Sequence, residues 1–159
     1  MMKESRESIC LPDFDVMMVQ DGIEKTINLV DFVKDNHQGL ILYFYPKDNT
    51  VGCSVQASEF TQLKTQFGDK GYQIIGVSRD GIKSHHNFIH KKSLGIALIS
   101  DADEALCQHF DVIKEKKMYG KTHLGIVRST FVFDEHGQIK ASFRNIKAKG
   151  HAQALLDIL

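Results

Sequence analysis

Apolar residues along this chain switch between two spacings, and the switches mark out its elements. Residues 14–19 read as a strand, Gln20-Asp21-Gly22 supplies turn chemistry, and residues 25–29 return as the partner strand. A short helix is predicted over 30–34. The run Leu40-Ile41-Leu42-Tyr43-Phe44-Tyr45 is apolar at consecutive positions, the pattern of a central strand covered on each side. Phe60, Leu63 and Phe67 then recur at i, i+3 and i+7, so a helix is predicted from Cys53 to about Phe67, ended by Gly68 and Gly71. Residues 72–78 read as a strand, 83–92 as a helix and 96–100 as a strand. Asp101 is expected to cap the helix that carries Leu106, Cys107 and Phe110. Residues 111–125 show no clear period and are expected to be an irregular surface segment. Strands over 129–133 and 138–143 flank the turn Asp134-Glu135-His136-Gly137, and a last helix spans about 151–158.

Strands alternate with helices in the first half, and a hairpin plus a helix closes the second. This order predicts an α/β sandwich: a mixed central sheet with helices on both faces and right-handed crossovers. A chain of 159 residues without linker, repeat or charge block fits one domain, 1–159. Twenty basic residues balance twenty acidic ones, so no net field gathers phosphate, and neither nucleic acid nor a membrane surface is an expected partner. A monomer or weak dimer fits that balance. The charged N-terminus lacks an apolar signal core, and no apolar stretch approaches a membrane span, so a cytoplasmic protein is expected.

Cys10, Cys53 and Cys107 are odd in number and contain no C-x-x-C, which excludes the zinc-ribbon and dithiol-oxidoreductase motifs. Their thiols are expected to be free at rest in a reducing compartment. His86 and His90 stand at i, i+4, but no compact ligand set accompanies them, so neither a metal nor another cofactor is expected.

Cys53 changes the picture most. It follows a buried strand and the loop Pro46-Lys47-Asp48-Asn49-Thr50-Val51-Gly52, and it opens a helix. Unpaired N–H groups and the positive end of the helix dipole favour an anion there, which biases a thiol toward thiolate. Pro46, Thr50 and Cys53 stand as P-x-x-x-T-x-x-C. Pro46 ends the strand and fixes a loop dihedral. Thr50 reads as an N-cap whose hydroxyl also reaches the neighbourhood of the sulfur. Arg128 precedes the apolar strand Ser129-Thr130-Phe131-Val132-Phe133, where alone it reads as a solvated strand end. Lys121 and His123 lie just before it and could border the site.

The segment from Tyr43 to Ala57 resembles the active-site segment of the peroxiredoxins, specifically the peroxiredoxin Q or bacterioferritin comigratory protein subfamily. Leu11-Pro12-Asp13-Phe14, Ile75-Gly76-Val77-Ser78-Arg79-Asp80, Lys83-Ser84-His85, Ser100-Asp101, Tyr119-Gly120-Lys121 and Arg128-Ser129-Thr130-Phe131 are similar to its other segments. The resemblance implies a thioredoxin-like fold with an N-terminal β-hairpin extension and a thiol-dependent peroxidase activity. It implies that Cys53 attacks hydrogen peroxide or alkyl hydroperoxides, with Pro46, Thr50 and Arg128 around it. The Thr50 hydroxyl, the Arg128 guanidinium and the N–H groups of Gly52 and Cys53 are the available donors to a departing oxygen. The product on sulfur is a sulfenic acid.

Two departures bear on the second half of the cycle. Many members of the subfamily place a resolving cysteine five residues after the first, where this chain has Ser58; others carry it near Ile89. Val51 also replaces a proline often seen two residues before the attacking cysteine. A one-cysteine cycle is therefore expected, with an external thiol, thioredoxin or glutathione with glutaredoxin, reducing the sulfenic acid. Cys107 is the internal alternative as resolving thiol, and Cys10 reaches the site only if the N-terminal segment lies beside it. A redox-sensing binding protein using the same thiol is the competing function.

Overall fold

The structure, a computed structural model, describes residues 2–5 and 7–159. A two-residue strand β1 (Glu4–Ser5) leads to the hairpin β2 (Asp15–Gln20) and β3 (Ile23–Asn28). Asp21 and Gly22 both take positive φ at its tip, the two-residue turn whose twist matches that of the strands. There follow α1 (Leu29–Asn36), β4 (Gly39–Phe44), α2 (Val51–Gln62), α3 (Lys64–Asp69), β5 (Tyr72–Ser78), α4 (Ile82–Lys92) and β6 (Ala97–Ser100). The chain continues with α5 (Ala105–His109), the ribbon β7 (Ile113–Met118) and β8 (Lys121–Ile126), the strands β9 (Ser129–Phe133) and β10 (Ile139–Phe143), and α6 (His151–Ile158).

Eight strands form one mixed sheet in the order β1-β10-β9-β4-β5-β6-β2-β3, parallel at β4·β5 and β5·β6 and antiparallel elsewhere. The period of two along β4 divides the core. Ile41, Tyr43 and Tyr45 face one apolar cluster with α2, α3, α4 and α6, while Leu40, Leu42 and Phe44 face the other with α1 and α5. That is the expected α/β sandwich with an N-terminal hairpin. Gly76 faces Tyr43 across the β4·β5 pair, and a Cβ there would stand 2.8 Å from the Tyr43 ring. Only glycine lets the aromatic ring lie flat over the neighbouring strand.

Three expectations need correction. Residues 111–125 are not irregular: most of them form the β7–β8 ribbon, turning at Tyr119-Gly120 with positive φ at both. Both ribbon strands are largely exposed and polar, so no period of two exists to read. The helix after Cys53 does not run unbroken to Phe67. It breaks at Leu63, where the Thr61 hydroxyl donates back to the Ala57 carbonyl and accepts the Gly95 N–H, a local bond that bends helices. Asp101 lies outside the α5 N-cap, which is Glu104. Its carboxylate nevertheless accepts from the Leu106 and Cys107 N–H groups and satisfies that first turn from three residues upstream.

Candidate active site

Register builds the site. Strand β4 ends at Phe44, which pairs with Ser129 at the start of β9, so Arg128 emerges at the same sheet end as the loop leading to α2. Thr50 is the extended N-cap residue of α2 and Cys53 its third residue, in the first turn. Among the described residues no side chain caps that turn, and it holds no acidic residue, so its first N–H groups and the positive helix end are left to the sulfur's surroundings.

The Arg128 guanidinium spans two partners on α2. Nη2 donates to Cys53 Sγ at 3.4 Å, and Nη1 donates to Gln56 Oε1. Cys53 is 2% exposed and Gln56 is fully buried, while Arg128 is half-buried. Gln56 stands three residues beyond Cys53 on the same helical face, and it orients the fork that reaches the sulfur. Gly52 leaves room for this arrangement, because a Cβ on it would lie 3.3 Å from Arg128 Nη2.

Thr50 departs from its expected role as a donor to the reacting oxygen. Its hydroxyl donates to the Lys47 carbonyl at 3.1 Å, so its oxygen is turned to accept rather than to give a proton. Pro46 opens the same loop directly after Tyr45. Lys121 and His123 are exposed on β8, whereas Lys116 on β7 is half-buried with its stem beside Gly125.

The charge distribution agrees with a cationic site. Burial, reinforced by the Arg128 charge, holds the Lys116 ammonium below the usual lysine range. Burial and then Arg128 push His151 down to about 4, leaving it neutral with Nε2 against the Thr130 hydroxyl at 2.8 Å. Burial first, and then the Cys53 charge, raise the Tyr43 phenol, which therefore stays protonated. The Tyr43 hydroxyl and Gln56 Nε2 are buried without a hydrogen-bond partner among the described residues, a local cost of the sort that marks working sites.

The other two cysteines lie across the sheet. Cys107 belongs to the opposite apolar cluster and is fully buried, and burial plus a hydrogen bond to the Asp101 carboxylate push its thiol far up. Cys10 is exposed beside Leu11 of that same cluster, and its carbonyl accepts from His109 Nε2 at 2.7 Å. The structure therefore brings Arg128 and the Thr50 loop to Cys53 but brings neither candidate resolving thiol. His86, read above as one of a histidine pair, bonds Glu24 at 2.8 Å.

Comparison with known proteins points the same way. The AhpC/TSA family model matches residues 10–142. Peroxiredoxin Bcp of Xanthomonas campestris is 52% identical over 120 residues, 76% of this chain and 75% of that protein. Peroxiredoxin Bcp of Bacillus subtilis is 38% identical over 135 residues, 85% of this chain and 84% of the other. Among solved structures, a mutant of Xylella fastidiosa PrxQ superposes with a TM-score of 0.84 at 39% identity, covering 97% of this chain and 96% of its own. The Xanthomonas campestris bacterioferritin comigratory protein, studied for its alkyl peroxide reduction activity, gives 0.82 at 41% identity over 96% of each chain.

Proposed function

The chain belongs to the AhpC/TSA family, as a peroxiredoxin of the Bcp and peroxiredoxin Q kind, and on that premise we propose that Cys53 carries its thiol-dependent peroxidase activity through a one-cysteine cycle. The observation that supports this most is the guanidinium of Arg128 held 3.4 Å from the sulfur by strand register and by Gln56.

The Cys53 sulfur attacks the terminal oxygen of a hydroperoxide. A sulfur–oxygen bond forms as the O–O bond breaks, and the departing oxygen leaves as water or an alcohol after taking a proton. Arg128 and the first-turn N–H groups of α2 stabilise the negative charge that moves from sulfur to the departing oxygen. The Thr50 oxygen, its own proton committed to Lys47, accepts from the hydroperoxide O–H and lines the O–O bond up with sulfur. Pro46 holds the loop that presents Thr50. Both hydrogen peroxide and alkyl hydroperoxides fit this scheme, since only the O–O–H unit is addressed.

The resulting sulfenic acid is attacked by an external thiol, from thioredoxin or from glutathione with glutaredoxin. That step expels water and gives a mixed disulfide, which a second thiol reduces. The positions of Cys107 and Cys10 across the sheet from Cys53 favour this route over internal resolution. Turnover of peroxide with each thiol donor tests the reading: Cys53→Ser should abolish it, and retained turnover would end the proposal. Ser58, standing where many members of the subfamily are expected to carry a resolving thiol, keeps a redox sensor as the second reading. Fast oxidation of Cys53 without turnover on any donor would favour the sensor.

A further inference from the structure

The loop that presents Thr50 is tied from its rear by a buried hydrogen-bonded pair that the chemistry above does not use. Asp48 is 5% exposed, and its carboxylate takes three donors: the Tyr45 hydroxyl at 2.6 Å, the Ser84 hydroxyl at 2.8 Å and His85 Nδ1 at 2.7 Å. Its backbone N–H donates to Asp80 at 2.8 Å. His85 is fully buried, and its other nitrogen, Nε2, lies 2.9 Å from the Ile99 carbonyl oxygen. The ring is thus held from both sides, by an Asp48 carboxyl oxygen at one nitrogen and by a main-chain carbonyl at the other.

Apolar side chains of the same shape would stabilise the fold about as well as a buried hydrogen-bonded pair, so its value is in the geometry it fixes. Here that geometry is the active-site loop. The pair joins the chain after β4 to the first turn of α4 and, through Ile99, to β6. Only Asn49, with φ of 62°, separates Asp48 from Thr50, and Lys47 on the other side supplies the carbonyl that orients the Thr50 hydroxyl. Arg128 arrives by an independent route, immediately before β9.

We propose that Asp48 and His85 are positioning residues for peroxide reduction, a buried hydrogen-bonded pair that keeps Thr50 and the first turn of α2 convergent with Arg128 on the Cys53 sulfur. The proposal rests on Cys53 being the attacking sulfur. Two reactions of the full-length protein separate positioning from general damage. Alkylation by iodoacetamide depends on the charge and access of the sulfur alone, whereas reaction with hydrogen peroxide also needs the loop in place.

Asp48→Asn, His85→Gln and the double variant are each compared with wild type in both reactions. Each single variant should slow the peroxide reaction at least tenfold while changing alkylation less than threefold. The double variant should fall within about twofold of Asp48→Asn, because the two residues act as one unit. A folded Asp48→Asn protein with a peroxide rate within twofold of wild type would overturn the proposal. So would peroxide and alkylation rates that fall in proportion, or an additive double variant. Should Asp48→Asn not fold, His85→Gln decides by the same ratio. A wild-type peroxide reaction that survives Cys53→Ser would remove the underlying reading instead, a result distinct from all of these.

Discussion

Replacing Arg128 with methionine removes one fork with two prongs, and the structure gives each prong a separate consequence. The prong on Cys53 Sγ, at 3.4 Å, is a hydrogen bond to a group that carries negative charge during reaction. Bonds of that kind contribute about 1.5–3 kcal/mol, or about 10- to 150-fold in rate at 1.36 kcal/mol per decade. Arg128 is only half-buried, so water partly replaces it in the variant, and the lower half of that range applies, about 30-fold in kcat/KM. The prong on Gln56 acts on stability. Its loss strands the Oε1 of a fully buried amide whose Nε2 already lacks a partner among the described residues, at about 1–3 kcal/mol, which lowers Tm by roughly 3–10 °C in a chain of this size. Stopped-flow kcat/KM with hydrogen peroxide, measured well below the variant's melting transition, separates the two effects. Arg128→Lys keeps the charge but cannot span both partners, so its rate should fall between wild type and Arg128→Met. A folded Arg128→Met protein with wild-type kcat/KM would refute the reasoning.

Three further outcomes follow from particular contacts. Gly52→Ala puts a methyl 3.3 Å from Arg128 Nη2. Helix propensity gains up to about 1 kcal/mol, so denaturant stability should hold or rise while kcat/KM drops several-fold. His151 binds fewer protons in the folded chain than in the unfolded one between its free value and about 4, so stability is present at neutral pH and is lost as the pH falls through that window. Between pH 7 and pH 5 the loss is about 2 kcal/mol in urea titrations, and His151→Gln should flatten it; an unchanged acid limb in that variant would contradict the assignment. Cys107, sealed across the sheet, should resist iodoacetamide in the native protein, and Cys107→Ser should turn over peroxide at the wild-type rate with every thiol donor. A lost turnover would make it the resolving thiol.

Much of this molecule was legible in its sequence where burial imposes a period. The apolar run 40–45 announced a strand covered on both faces, and alternation along it divides the two halves of the core. The P-x-x-x-T-x-x-C spacing announced the loop and the cysteine in a helix's first turn. What stayed hidden depends on register and on single side-chain bonds. Arg128 reads as a strand end until Ser129 is paired with Phe44. Gln56 carried a usable signal, i+3 from Cys53, but its partner lies 72 positions away. The β7–β8 ribbon gave no alternation because it covers little core, and the break at Leu63 lies beside a threonine whose hydroxyl bonds back to the Ala57 carbonyl, a contact no periodicity displays. Asp48 and His85 look like ordinary polar residues one at a time, 37 positions apart, and only the folded chain makes them a pair.

Intact-mass analysis with peptide mapping, after one equivalent of hydrogen peroxide and before any thiol is added, tests the central claim most directly. The account predicts the gain of a single oxygen, located on Cys53, with Cys10 and Cys107 still titrating as free thiols. A loss of two hydrogens, showing a disulfide between Cys53 and either of them, would contradict the one-cysteine cycle. An oxygen found on another residue would contradict the assignment of Cys53 itself.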